Sequence, residues 1–90
     1  MKDKPASTNV SLADVETALL CIWQDVLPLP IEEITKDISF LGLGGDSLSA
    51  MACISRIHAE FSLEFNILDF FADDSTISDF AKNIVALRDQ

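Results

Sequence analysis

The 90-residue sequence contains no tyrosine, one histidine and only two cysteines. Cys21 and Cys53 are too few and too far apart for a disulfide framework or a zinc site. Both are expected to be free thiols in a reducing compartment. Because His58 is the only histidine, a structural metal site is not expected either. The fold must therefore depend on an apolar core, for which 49% hydrophobic residues are sufficient.

Long apolar runs and basic residues are also scarce. No segment approaches the roughly 20 apolar residues that span a bilayer, and residues 1–10 lack the apolar stretch of a signal peptide. Six basic against fifteen acidic residues give a net charge of −9, which excludes nucleic acid and anionic membranes as expected partners. The acidic surface either steers partners with basic patches or only maintains solubility. We expect a cytoplasmic monomer.

Apolar periodicity predicts an all-α protein with three main helices and a short one. The first helix follows a possible Ser11 cap and ends near Leu27, because Pro28 and Pro30 cannot continue it. The last helix starts at Thr76, three residues before an aspartate, in the pattern of a capping box. Residues 1–10 are interpreted as a flexible leader and residues 11–88 as one domain. The four helices are predicted at residues 11–27, 47–61, 67–71 and 76–87.

The long connection between the first two main helices is a candidate functional segment. Residues 28–46 mix acidic side chains with spaced apolar ones, so we expect the segment to pack over the helices. Connections of this length are uncommon in small domains and are often functional. Gly42, Gly44 and Gly45 give the backbone freedom just before the second helix.

The second helix is predicted to have two apolar faces. At about 100° per residue, one face collects Ala50, Cys53, Ile54, Ile57 and Phe61, and the opposite face carries Leu48, Met51, Ala52 and Ala59. The first set is larger, so we assign it to the core, with Trp23 of the first helix as a core anchor. Leu48 and Met51 then form either a partner-docking surface or a second buried interface.

Ser47 lies in the first turn of the predicted second helix. Backbone N–H groups and the helix dipole there favour an adjacent phosphate, but from position alone the commoner role of Asp46 or Ser47 is that of an N-cap. The Gly-Asp-Ser-Leu string at residues 45–48 also occurs in some serine esterases. A nucleophilic serine needs a base within hydrogen-bond reach, but His58 lies eleven residues along the same helix, roughly 16 Å away. We therefore reject the esterase interpretation.

Four segments resemble the carrier proteins of nonribosomal peptide and polyketide biosynthesis, with the specific Leu-Gly-Gly-Asp-Ser-Leu string at residues 43–48. The segments are residues 20–27, 40–48, 55–57 and 70–77, and the resemblance extends over residues 12–87. It implies a four-helix carrier bundle. It also implies that a Mg²⁺- and coenzyme A-dependent phosphopantetheinyl transferase attaches 4′-phosphopantetheine to Ser47.

The resemblance further implies a non-catalytic protein whose prosthetic thiol holds acyl or aminoacyl groups as thioesters. The implied partners are the transferase, an adenylation or acyltransferase loading enzyme, and downstream synthase or tailoring enzymes. Asp46, Leu48 and Met51 are the expected docking residues beside Ser47. Gly44 and Gly45, with Trp23, look more like peptidyl carriers, but polyketide-associated carriers share the paired glycines.

The alternative from a different class is a helical adaptor that is not modified and binds partners through Leu48 and Met51. It explains the two-faced helix, but it leaves the glycine-rich approach to Ser47 without a purpose. The initiating Met1 and the end just after the last helix suit a discrete protein as well as an excised domain.

Overall fold

The computed structural model describes residues 11–72 and 75–88 and consists of three α-helices with long connections. Helix α1 spans Leu12–Val26, α2 spans Ser47–Phe61 and α3 spans Ile77–Arg88. Two single 3₁₀ turns lie in the connections, at Ile31–Glu33 and Ile67–Phe70. Helix α1 packs against both α2 and α3. The predicted all-α class is confirmed, and the short third helix is a 3₁₀ turn.

Local capping explains where α1 and α3 begin. The hydroxyl of Ser11 accepts a hydrogen bond from the Asp14 N–H at 3.0 Å. The Thr76 hydroxyl accepts the Asp79 N–H at 3.0 Å and donates to the Asp79 carboxylate at 2.7 Å. The two bonds from the Asp14 and Asp79 amides satisfy backbone donors that the first turn of a helix leaves without a partner. Both predicted helix starts are confirmed. The predicted leader, residues 1–10, lies outside the described residues.

The core is organised around four aromatic rings. Trp23 contacts Phe40 and Phe80 edge-to-face, with ring centroids 5.6 and 5.7 Å apart, and Phe70 lies 6.0 Å away. Such pairs stabilise beyond the area they bury. The predicted position of Trp23 in the core is confirmed, but its indole N–H bonds to none of the described residues. The other buried apolar residues include Val15, Leu19, Ile22, Ile57, Ile77, Ala81 and Ile84.

Two residues of the predicted apolar faces are more exposed than their spacing indicates. Leu12 in α1 and Leu87 in α3 retain 38% and 44% of their surface. Each lies in the outermost turn of its helix, where no neighbouring element of the described chain covers it. None of the helices in the described ranges is long and apolar enough to cross a bilayer.

Candidate functional site

The connection between α1 and α2 is fastened to the start of α3. The Phe40 N–H donates to both the carbonyl oxygen and the hydroxyl oxygen of Ser75, at 3.1 and 3.2 Å. The Ser78 N–H donates to the Lys36 carbonyl at 3.1 Å. Of the apolar residues in this segment, Ile34, Phe40 and Leu43 are buried, whereas Ile31, Ile38 and Leu41 are exposed. The predicted packing of the segment is therefore confirmed for these three buried side chains and, in part, for Leu29, which is partly buried against the core.

A tight turn then delivers the chain to α2. The Phe40 carbonyl accepts the N–H groups of Leu43 and Gly45, at 3.2 and 3.0 Å. Gly44 has φ +88°, a left-handed conformation that glycine adopts without strain. A Cβ on Gly45 would lie 2.7 Å from Phe40 Cζ and closer still to two other carbons of the ring. These two positions therefore need glycine for different reasons, one conformational and one steric.

Asp46 is the N-cap of α2. Its Oδ1 accepts the Ser49 N–H at 2.9 Å, and its own N–H donates to the Ser49 hydroxyl oxygen at 2.8 Å. The Ser49 hydroxyl also lies 3.0 Å from Oδ1. These bonds from the Ser49 amide and hydroxyl hold the pKa of the Asp46 carboxyl below its ordinary value of 3.8. Sequence reasoning missed the role of Ser49, although the Asp-x-x-Ser spacing indicates a capping box.

Ser47 is the first residue of α2 and is exposed. The cap is formed by Asp46, so the alternative of Ser47 as the N-cap is wrong. The Ser47 hydroxyl makes no hydrogen bond to residues 11–72 or 75–88. It is thus an accessible hydroxyl at the positive end of a helix, where a phosphate group is favoured.

The two faces of α2 are arranged as predicted. Ala50, Cys53, Ile57 and Phe61 are buried, and Ile54 is partly buried. Leu48 and Met51 retain 80% and 61% of their surface, so neither forms a second buried interface within the described chain. A groove of about 410 Å³ runs beside Leu48. It is lined by Asp25, Val26, Pro28, Gly44, Asp46, Leu48, Ser49 and Ala52.

The other reactive side chains lie apart from Ser47. His58 is exposed, with Nε2 3.9 Å from a carboxylate oxygen of Glu64. Cys53 is buried, and desolvation raises the pKa of its thiol to about 12. Cys21 is exposed on α1. Among the described residues, no group of three His, Cys, Asp or Glu side chains is placed to hold a metal ion.

Comparison with known proteins connects this geometry to a family. A family model described as "Phosphopantetheine attachment site" matches residues 17–84. The chain is 41% identical over 64 residues to Nonribosomal peptide synthetase 8 of Aspergillus fumigatus, covering 71% of this chain and 1% of that protein. It is 36% identical over 73 residues to the non-canonical nonribosomal peptide synthetase FrzA of Cladobotryum sp, covering 81% and 7%.

A bacterial relative matches a similar share of this chain and an equally small part of its own length. Bacitracin synthase 1 of Bacillus licheniformis is 34% identical over 65 residues, which are 72% of this chain and 1% of the synthase. The chain therefore spans only a small part of the relatives it matches. No solved structure matches the chain significantly.

The residues at the start of α2 fit the group that this family carries covalently, 4′-phosphopantetheine. The fit rests on the exposed, uncommitted Ser47 hydroxyl, on a cap that does not use it, and on the open surface beside it. Carrier domains of this type are typically non-catalytic. The family model covers most of the chain, including all of α2. The chain belongs to the phosphopantetheine-binding family of carrier protein domains.

Proposed function

We propose that this chain is a carrier domain of nonribosomal peptide biosynthesis and that Ser47 bears its 4′-phosphopantetheine. The observation that carries the proposal is the Ser47 hydroxyl, exposed in the first turn of α2 and free of hydrogen bonds to the described residues. It lies inside the matched range of residues 17–84. The names of the relatives support the peptide pathway, because two of those named above are nonribosomal peptide synthetases.

The local electrostatics suit a phosphodiester on Ser47. Its oxygen lies at the N-terminus of a 15-residue helix, where the backbone dipole stabilises negative charge. The Asp46 carboxylate also carries charge there, but its Oδ1 is already bonded to the Ser49 amide and hydroxyl. Modification of Ser47 therefore leaves every bond of the cap in place. When attached, the prosthetic group supplies a terminal thiol that holds acyl or aminoacyl groups as thioesters.

The chain supplies presentation rather than catalysis in this proposal. His58 lies at the opposite end of α2, roughly 16 Å from Ser47 at 1.5 Å per residue, and is turned toward Glu64. Ser47 therefore lacks the adjacent base that a nucleophilic serine needs. We also propose a cytoplasmic location, because Cys21 and Cys53 are free thiols, which suit a reducing compartment.

Leu48 and Met51 are the proposed docking residues, with Asp46 at their edge. At about 100° per residue both lie within about 100° of Ser47 around α2, so one partner surface can contact them while reaching the serine. A small apolar contact of this kind is specific and readily broken. The proposed partners are a phosphopantetheinyl transferase, an adenylation or acyltransferase loading enzyme, and downstream synthase or tailoring enzymes.

The proposal is tested by modification of the purified chain with coenzyme A, Mg²⁺ and a promiscuous phosphopantetheinyl transferase. Intact mass should increase by one phosphopantetheine group, and peptide mapping should place it on Ser47. Ser47→Ala should gain nothing while its circular dichroism and melting temperature stay those of the parent. Ser55→Ala, which changes another exposed serine of α2, should be modified normally.

Two outcomes would contradict the proposal. Modification that persists in Ser47→Ala would move the attachment site elsewhere. A parent chain that several transferases leave unmodified would favour the adaptor that binds partners through Leu48 and Met51.

A further inference from the structure

The backbone just ahead of Ser47 rests on the ring of Phe40. Gly45 packs so closely on this ring that an added Cβ would overlap three of its carbon atoms. The Gly45 N–H also donates to the Phe40 carbonyl at 3.0 Å. Only Asp46 separates Gly45 from Ser47. The position of Phe40 therefore sets where the chain enters α2.

Phe40 is itself held from three other parts of the fold. Its ring is fully buried and packs edge-to-face on Trp23 of α1 and on Phe70 of the second 3₁₀ turn, with centroids 5.6 and 5.1 Å away. Its N–H is shared between two oxygens of Ser75, a fully buried residue just before α3. The hydroxyl oxygen of Ser75 thus accepts a hydrogen bond from a residue 35 positions earlier in the chain.

We propose that Phe40 and Ser75 are positioning residues for the reaction at Ser47. Together they fix the Gly45 backbone, and through it the Asp46 cap and the Ser47 hydroxyl, in the conformation that a modifying enzyme recognises. The inference rests on the proposed attachment to Ser47. It assigns a role to two buried residues that touch neither the prosthetic group nor a partner.

The physical reason is the stiffness of this contact. Ring atoms in a packed aromatic core cannot move aside as the end of an exposed side chain can. A displaced Gly45 therefore shifts the start of α2 while the rest of the helix stays anchored by Ala50, Cys53 and Ile57. A carrier whose competent conformation is only partly populated binds its enzyme with an apparent affinity reduced by that fraction.

The test compares Gly45→Ala with Gly42→Ala as a matched control. Both replace a glycine of the same turn, but the Cβ on Gly42 would meet no atom of the Phe40 ring. Its nearest atoms would be Ile38 Cγ2 at 2.8 Å and the hydroxyl and carbonyl oxygens of Ser39 at 3.1 and 3.3 Å, and none of these contacts holds the Gly45 backbone. We expect Gly45→Ala to raise the KM of the transferase for the carrier roughly tenfold, with kcat nearly unchanged, at a temperature well below melting. Gly42→Ala should keep the parent KM.

Amide hydrogen exchange provides a readout that does not need modification. In Gly45→Ala the amide at position 45 should exchange roughly tenfold faster, because it loses its bond to the Phe40 carbonyl. The Leu27 amide, bonded to the Trp23 carbonyl at 2.8 Å, should keep the parent rate. Ser75→Ala, which retains the carbonyl acceptor, should speed exchange at Phe40 and Gly45 by a smaller factor.

A rescue variant separates positioning from general instability. Phe40→Leu removes ring carbons that the new methyl group would meet, but it keeps the main-chain bonds of residue 40 to Ser75 and to the amide at position 45. Phe40→Leu/Gly45→Ala should therefore have a lower KM than Gly45→Ala alone, although its KM should stay above that of the parent. The proposal is overturned if Gly45→Ala and Gly42→Ala share one KM, if the double variant shows no recovery, or if exchange rises equally at Leu27. If the parent chain is not modified at all, the proposed function is contradicted. The exchange rates at Phe40 and Gly45 would still show whether Phe40 and Ser75 hold the backbone before α2.

Discussion

At the scale of single residues, the carboxylate of Asp46 both caps α2 and carries a negative charge next to Ser47. Its carboxylate accepts the Ser49 N–H and lies within bonding distance of the Ser49 hydroxyl, and these bonds lower its pKa below 3.8. Because the folded pKa is depressed, the charged cap stabilises the fold fully above pH 3.8. That contribution is lost as the pH falls through the lowered value.

The Ser49 amide and hydroxyl both bond to the Asp46 carboxylate. Ser49→Ala removes the hydroxyl donor but keeps the amide, so the pKa of the Asp46 carboxyl should rise part of the way toward 3.8. NMR titration of the side-chain carboxyl measures this change directly. Ser55→Ala, on an exposed face of the same helix, should leave the titration unchanged. An unaltered pKa of Asp46 in Ser49→Ala would mean that the bond from the Ser49 amide, and not the hydroxyl, lowers that pKa.

At the scale of elements, α2 has one buried and one exposed apolar face. The face with Ala50, Cys53 and Ile57 is completely buried. The exposed face presents Leu48 and Met51 at 80% and 61% of their surface, beside the proposed attachment serine. Apolar side chains so exposed contribute little to the free energy of unfolding, and they remain available to a partner.

We therefore predict that Met51→Glu leaves the melting temperature nearly unchanged but lowers kcat/KM for transfer by at least one partner enzyme about tenfold. That factor corresponds to about 1.4 kcal/mol of lost contact, within the range for one apolar anchor. The control is Ala59→Glu, which adds the same charge to an exposed position two turns further along α2. It should have the parent kcat/KM. Unfolding of Met51→Glu would show that this face is needed by the core.

At the scale of the whole molecule, stability is concentrated in one aromatic cluster. Trp23, Phe40, Phe70 and Phe80 join α1, the long connection, the second 3₁₀ turn and α3. A domain of this size typically has a free energy of unfolding of about 5–10 kcal/mol, so the loss of one large ring is a substantial fraction.

Trp23→Ala should lower the free energy of unfolding by about 3–5 kcal/mol because it leaves a large cavity. Trp23→Phe should lower the free energy of unfolding by clearly less. It leaves a smaller cavity and removes an indole N–H that is buried without a partner among the described residues. Urea denaturation followed by circular dichroism compares the two variants. Equal losses would indicate that the indole N–H is satisfied in solution, for example by a buried water molecule.

The sequence by itself determined the features that depend on short-range spacing. Apolar periodicity determined the three helices and the core face of α2, and Ser11 and Thr76 marked two helix starts. Four short segments, including the motif at residues 43–48, predicted the family. These features were predictable because periodicity and capping act within one or two turns of a helix.

Only the tertiary structure decided how the long connection is held and which of its apolar residues are buried. It showed that Phe40 pairs with Ser75 across 35 residues and that Gly45 must lie against the Phe40 ring. Contacts between distant segments leave no periodic trace in the sequence. They depend on how packed side chains share one small core, which spacing along the chain does not specify.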